Sequence, residues 1–190
     1  MIRRAMMLTL GALALMPLAG CNQAADKTDA TATEPGAATL TAAITGAPGM
    51  STAAAAIRST GLATVFDGTA PYTVLVPQDD AFGALGEAGA RLKAPENGAA
   101  MAAVFKAHVL PGYMTVADIG AALTRAQGKP VRMTTMAGSE VTFTRSGETL
   151  SVTAADGATA KVSGSELTAG NGVAIPVDAV LKKIPLTSAG

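Results

Sequence analysis

A single cysteine, a single histidine, no tryptophan, two tyrosines and four phenylalanines among 190 residues narrow what this chain can do. One cysteine, Cys21, leaves no partner for an internal disulfide. One imidazole, His108, is too few for a histidine-built zinc site, which needs several such ligands. An array of stacked aromatics of the kind that reads single-stranded nucleic acid has little raw material. Charge of either sign is also missing in excess, with 14 Lys and Arg against 14 Asp and Glu. Loss of the first twenty residues would remove Arg3 and Arg4 and tip the balance slightly acidic. Nothing there attracts a polyanion, so no nucleic-acid partner is expected. The core must be built from Val, Leu, Ile, Met and a few Phe, and the length suits one domain and little more.

Catalytic constellations are absent too. Ser146, Ser163 and Ser165 do not stand in a nucleophile-elbow context, and Gly83, Gly86 and Gly89 lack the Lys–Ser/Thr end of a phosphate loop. Asp79 and Asp80 are adjacent carboxylates, but no further oxygen ligands follow at calcium-loop spacing. The expectation is a non-enzymatic protein with no cofactor and no metal.

What is present begins with a processing signal. Arg3 and Arg4 precede an apolar run from Met6 to Leu18 that is short for a membrane span and sized like a signal-peptide core. It ends in Leu18-Ala19-Gly20-Cys21, which resembles a bacterial lipobox. The resemblance implies cleavage before Cys21, a diacylglyceryl thioether on its sulfur and acylation of the new amine by a chain such as palmitate. Three chains bury enough methylene groups for stable anchoring, which one alone would not. Asn22, in place of an inner-membrane retention Asp, implies the outer membrane. Residues 1–20 therefore read as a signal peptide. Residues 21–37 are mostly Ala, Thr, Asp, Lys, Glu, Pro and Gly without apolar periodicity, and read as a tether reaching about 20–25 Å. Residues 38–186 read as the folded domain and 187–190 as a tail.

Within the domain, the stretch from Tyr72 to Leu85 is the organising element. Thr73 to Val76 is short, apolar and mostly β-branched, as a strand buried on both faces is. Pro77 is expected to end it. Gln78 and Asp79 are expected to cap a turn of helix whose Ala81, Phe82 and Leu85 face the core. Before it, Ile57, Gly61, Leu62, Val65 and Phe66 recur at helical spacing from a cap at Ser51 or Thr52. A close helix contact is the expected reason for Gly61. The Ala53–Ala56 run is expected to serve by helix propensity, not burial. After it, Gly83, Gly86 and Gly89 read as a loosened link. Ala100, Met101, Val104, Phe105 and His108 form a helical stripe. Thr115 and Asp118 make a capping-box pattern ahead of Val116, Ile119 and Leu123. From Pro130 the period becomes two, through Val131, Met133, Val141, Phe143, Leu150, Val152, Ala160 and Val162, with turns at Ser146-Gly147 and Asp156-Gly157. Helices first and antiparallel strands later make an α+β domain. Pro176 places the last strand at an edge or a bulge.

Three blocks carry a family resemblance. Thr73-Val74-Leu75-Val76-Pro77-Gln78-Asp79-Asp80-Ala81-Phe82 resembles the first signature block of the fasciclin (FAS1) domain. His108-Val109-Leu110-Pro111-Gly112 resembles the second, with Ala107 where a Tyr usually stands. Asn171-Gly172-Val173-Ala174-Ile175-Pro176-Val177-Asp178 is similar to the third. The resemblance implies a β-sandwich-like wedge with flanking α-helices, and a role in adhesion or interaction rather than catalysis. It marks Thr73, Pro77, Asp79, Asp80, Phe82, His108, Pro111, Gly112, Asn171, Gly172 and Asp178 as signature positions. In animal members the Tyr–His pair is linked to integrin contact, and Ala107 breaks that pair here. From the residues alone, His108 reads as a half-buried imidazole bonded to a backbone carbonyl beside the Pro111-Gly112 turn. Asp79 and Asp80 read as helix-start carboxylates, and Asp178 as a backbone cap. The function expected is a lipid-anchored module of the bacterial cell envelope, held at the outer membrane and facing the periplasm or the cell surface. Its partner would be a protein, a glycan or a matrix. The alternative is a periplasmic small-molecule or lipid-binding module with an apolar groove beside the helices.

Overall fold

The computed structural model describes residues 38–184. Cys21 and the segments 1–20, 21–37 and 187–190 lie outside the described residues.

Thr39 opens the described chain by accepting a bond from the Ala42 N–H, and α1 follows over Leu40–Gly46. Leu40 and Ile44, one helical turn apart, are fully buried. The next pattern is not one helix but two, α2 (Ser51–Ser59) and α3 (Leu62–Phe66). Gly61 separates them at φ 74°, and a Cβ there would touch nothing. Its role is therefore a left-handed junction rather than a close helix contact. The alanine run does not act by propensity alone, because Ala53, Ala54 and Ala56 are buried.

Strand β1 spans Tyr72–Pro77, so Pro77 is its last paired residue, opposite Val177. Helix α4 (Asp79–Gly83) follows, and then α5 (Glu87–Leu92) where the glycines suggest a loose link. Gly89 explains the difference. A Cβ at this buried position would run into the Phe82 carbonyl oxygen, so α5 closes onto α4 through a glycine. A 3-10 turn at Pro95–Asn97 leads into α6 (Gly98–Lys106) and β2 (Val109–Pro111). Helix α7 (Val116–Arg125) starts at a complete capping box. Thr115 Oγ1 accepts the Asp118 N–H at 3.1 Å, and Asp118 Oδ2 accepts the Thr115 N–H at 2.9 Å.

Among the described residues, eight strands form two sheets. The first has the order β2-β1-β8-β7, with β7 at Leu167–Ala169 and β8 at Gly172–Val177. It is mixed rather than antiparallel, because β1 and β8 run parallel with Thr73 opposite Val173. The second is a meander, β3 (Val131–Thr134), β4 (Glu140–Ser146), β5 (Thr149–Ala154) and β6 (Thr159–Lys161). Pro176 does not make β8 an edge strand, since β8 lies between β1 and β7. Pairing to β7 ends at Ala174, and the Pro176 carbonyl accepts the Ser163 N–H on that side. Amide and carbonyl of one strand residue point the same way, so the missing N–H faces away from β1 and costs the parallel ladder nothing.

The layers follow from strand alternation. Val74, Val76 and Ala174 of the first sheet pack toward α1–α6 with Phe66, Phe82 and Phe105. Leu75, Val173, Ile175 and Val177 point the other way, onto Val141, Phe143 and Val152 of the second sheet and onto Ile119 and Leu123 of α7. The architecture is α+β, with helices flanking two stacked sheets.

Candidate functional site

Five signature residues, Thr73, Asp79, His108, Asn171 and Asp178, bond backbone groups through their side chains. Asp79 Oδ1 accepts the Thr52 N–H at 2.7 Å, and Oδ2 accepts the Ser51 N–H at 3.2 Å and the Ser51 hydroxyl at 2.9 Å. It caps α2 across the chain, not its own helix. Helix α4 has Gln78 at its N-cap with no side-chain bond, and Gln78 Oε1 instead accepts the Ser163 hydroxyl at 2.9 Å. Ser51 therefore sits inside α2, with Met50 at the cap position and the capping oxygens supplied by Asp79. Burial opposes ionisation of Asp79, yet the bonds from Thr52 and Ser51 outweigh it and hold the carboxyl below its usual range. Asp80 is exposed in the first turn of α4. Phe82 is buried and stacks on Phe105, with ring centroids 6.4 Å apart.

Thr73 Oγ1 donates to the Gly112 carbonyl at 2.8 Å and accepts the Met114 N–H at 2.8 Å, tying β1 to the turn after β2. Pro111 ends β2 exposed, and Gly112 takes φ 102°, where its N–H meets the Pro71 carbonyl. His108 is fully buried, not half-buried. Its Nε2 accepts the Leu181 N–H at 2.8 Å, so that nitrogen carries no proton and Nδ1 donates to the Val104 carbonyl at 2.8 Å. The carbonyl it meets belongs to the last turn of α6, just ahead of it, not to the Pro111-Gly112 turn. Burial pushes its pKa down to about 4, against the Val104 bond that raises it.

Asn171 joins three segments. Its Oδ1 accepts the Leu40 N–H at 2.8 Å, and Nδ2 donates to the carbonyls of Phe66 at 2.6 Å and Gly68 at 3.0 Å. Gly172 is a close-approach glycine, because a Cβ would meet the Tyr72 carbonyl and the Leu40 side chain. Asp178 Oδ1 accepts the Lys161 N–H at 2.7 Å and its own N–H returns to the Lys161 carbonyl, closing the outer edge of β6. Glu166 does similar work without any sequence signal, as its Oε2 accepts the Val116 N–H at 2.6 Å at the start of α7. Among the described residues no group of three or more His, Cys, Asp or Glu is placed to hold a metal ion. The signature positions thus converge on the fold's joints and not on one reactive centre.

A concavity lies elsewhere. A groove of about 470 Å³ runs between α2 and the α5–α6 connection. Thr52, Ala55 and Ser59 line one wall, and Leu92, Lys93 and Met101 the other. The second sheet presents a different surface, since all of its outward-facing side chains are partly or fully exposed.

A helix-covered mixed sheet stacked on a four-stranded meander, with capping residues at these joints, defines the class of domain. The Fasciclin domain family model matches residues 48–183. The chain belongs to the fasciclin family. Among solved structures, it is similar to a FAS1 domain pair from the insect cell adhesion molecule Fasciclin I. The TM-score is 0.65 at 14% identity, covering 76% of this chain and 51% of that one. At that identity the likeness is one of fold, and this chain spans about half the length of the pair. Among curated proteins no relative matches.

Proposed function

We propose that this protein is a lipid-anchored, non-enzymatic interaction module of a bacterial cell envelope, working in adhesion to a protein, glycan or matrix. The observation that carries the reading is the pairing of a fasciclin domain with Leu18-Ala19-Gly20-Cys21 behind Arg3 and Arg4. The side chains of Asp79, His108 and Asn171 are spent on bonds to backbone, which leaves surface rather than chemistry as the domain's means of action. Among the described residues no helix is long and apolar enough to cross a membrane. Attachment then rests on Cys21, at the outer membrane. Mass spectrometry of the mature N-terminal peptide is expected to show a diacylglyceryl thioether and an N-acyl group on Cys21. An unmodified Cys21, or cleavage at another bond, contradicts the anchoring. Capture from envelope extract with the full chain tests the interaction role, and material retained by the folded but not the unfolded protein supports it.

One observation favours a second reading. The groove beside α2 has the volume of a small-molecule site and Leu92 and Met101 in its wall. A periplasmic ligand carried there would protect Thr52 and Met101 amides from exchange when a lipid or metabolite extract is added. No change in those amides would remove the groove from consideration.

A further inference from the structure

The outward face of the second sheet has a composition that neither capping nor core packing explains. Alternation sends Val141, Phe143, Leu150 and Val152 inward, where all four are buried. Register then fixes what shares the opposite face. Thr142 lies opposite Thr153, and Thr153 opposite Thr159, with hydroxyl oxygens of the last pair 3.1 Å apart. In the next row Thr144 lies opposite Ser151. Every outward position on β3 to β6 carries a hydroxyl except Arg132, Glu140 and Lys161. None of these side chains is buried.

The two cations close the hydroxyl rows from opposite edges. Arg132 on β3 pairs with Thr142, and Lys161 on β6 pairs with Ser151. Glu140 is the one acidic residue facing outward, in the row beyond Arg132. Hydroxyls on such a sheet repeat about 4.8 Å across strands and about 6.8 Å along them. The face lacks the aromatic or aliphatic anchors around which protein interfaces are built. Two cations without aromatics are also too few for a nucleic-acid backbone. A flat lattice of donors and acceptors flanked by positive charge matches a chain of polyols that carries carboxylates, with water bridging the imperfect contacts.

We propose that this face binds an acidic polysaccharide, its sugar hydroxyls on the Thr/Ser rows and its uronate groups on Arg132 and Lys161. The proposal rests on the interaction reading above and specifies its partner class. Individual hydroxyl contacts are weak, and repetition along the polymer supplies the avidity.

The test uses the full chain in detergent on beads coated with alginate, a polyuronate, beside beads coated with neutral dextran. Retention on alginate that falls with added salt, and little on dextran, is expected. The pair Arg132→Glu and Lys161→Glu should cut alginate retention by about tenfold or more. Thr142→Val with Thr153→Val keeps strand-favouring residues on the face and should weaken retention by about threefold or more. If that pair lowers the unfolding midpoint, Thr144→Ala with Ser151→Ala serves in its place. No alginate retention by folded wild type, equal retention on dextran, or retention unchanged by both sets of substitutions overturns the proposal. If envelope capture succeeds and is unaffected by these substitutions while alginate is not retained, the interaction role stands and the glycan face falls.

Discussion

His108 shows how one residue can look functional and yet serve the fold. It is the sole imidazole, it stands in a signature block, and burial drives its pKa to about 4. Its two nitrogens are already spent, one accepting from Leu181 and one donating to Val104. Protonation would put a hydrogen on Nε2 against the Leu181 N–H, donor against donor. The folded state therefore resists the charged form until pH falls to about 4, whereas the unfolded chain binds a proton below about 6.5. Stability from this group is complete above pH 6.5, is lost as pH falls toward 4, and changes no further below that. The loss amounts to about 3 kcal/mol across the window. Urea unfolding between pH 7 and pH 4 checks it, and His108→Gln should flatten the slope. Two of the carboxylates held low by hydrogen bonds against their burial, Asp79 and Asp156, act in a separate range. Their contribution is present above their ordinary value of 3.8 and is lost only as pH falls below it. Asp79→Ala removes the cap of α2 and should cost about 0.5–2 kcal/mol at pH 7, read as a lower urea midpoint with unchanged slope.

At the scale of elements, what the sequence discloses depends on how far away the cause lies. Strands β4 and β5 are legible because their inward residues alternate and their turn is a Ser-Gly pair. The capping box of α7 is legible because donor and acceptor are three residues apart. Helix α5 is not, because the reason for Gly89 is the Phe82 carbonyl of the preceding helix. The parallel pairing of β1 with β8 is equally hidden, since it joins segments about a hundred residues apart. Asp79 combines both cases. Its residue type announces a cap, but which helix it caps is decided by the fold. The glycines give a direct contrast. Gly172→Ala forces a Cβ into the Tyr72 carbonyl and should cost about 1–3 kcal/mol. Gly61→Ala meets no atom and carries only the strain of φ 74°, about 1–2 kcal/mol. Shortening the Leu40 side chain should relieve part of the first cost and none of the second, which a double-mutant cycle reads.

For the whole molecule, the two sheets and the helical layer are held by joints made from the family's signature residues. The candidate site was the least legible part of the sequence. The signature blocks draw attention to Asp79, His108 and Asn171, whereas the hydroxyl face emerges only when register places β3 to β6 side by side. The N-terminal boundary can be tested on the same molecule. Removing residues 22–37 should leave the thermal midpoint in place. Extending the deletion through Gly46 takes away Leu40 and Ile44 and should lower it by more than about 4–8 °C. The central claim is that signature residues hold the fold while binding happens elsewhere. Retention of envelope material per folded molecule, measured for Asp79→Ala, Asn171→Ala and His108→Gln beside the wild-type chain, tests it most directly. Lower unfolding midpoints with retention within about twofold of wild type are the predicted result. A variant with an unchanged midpoint and a loss of about tenfold or more in retention would contradict it.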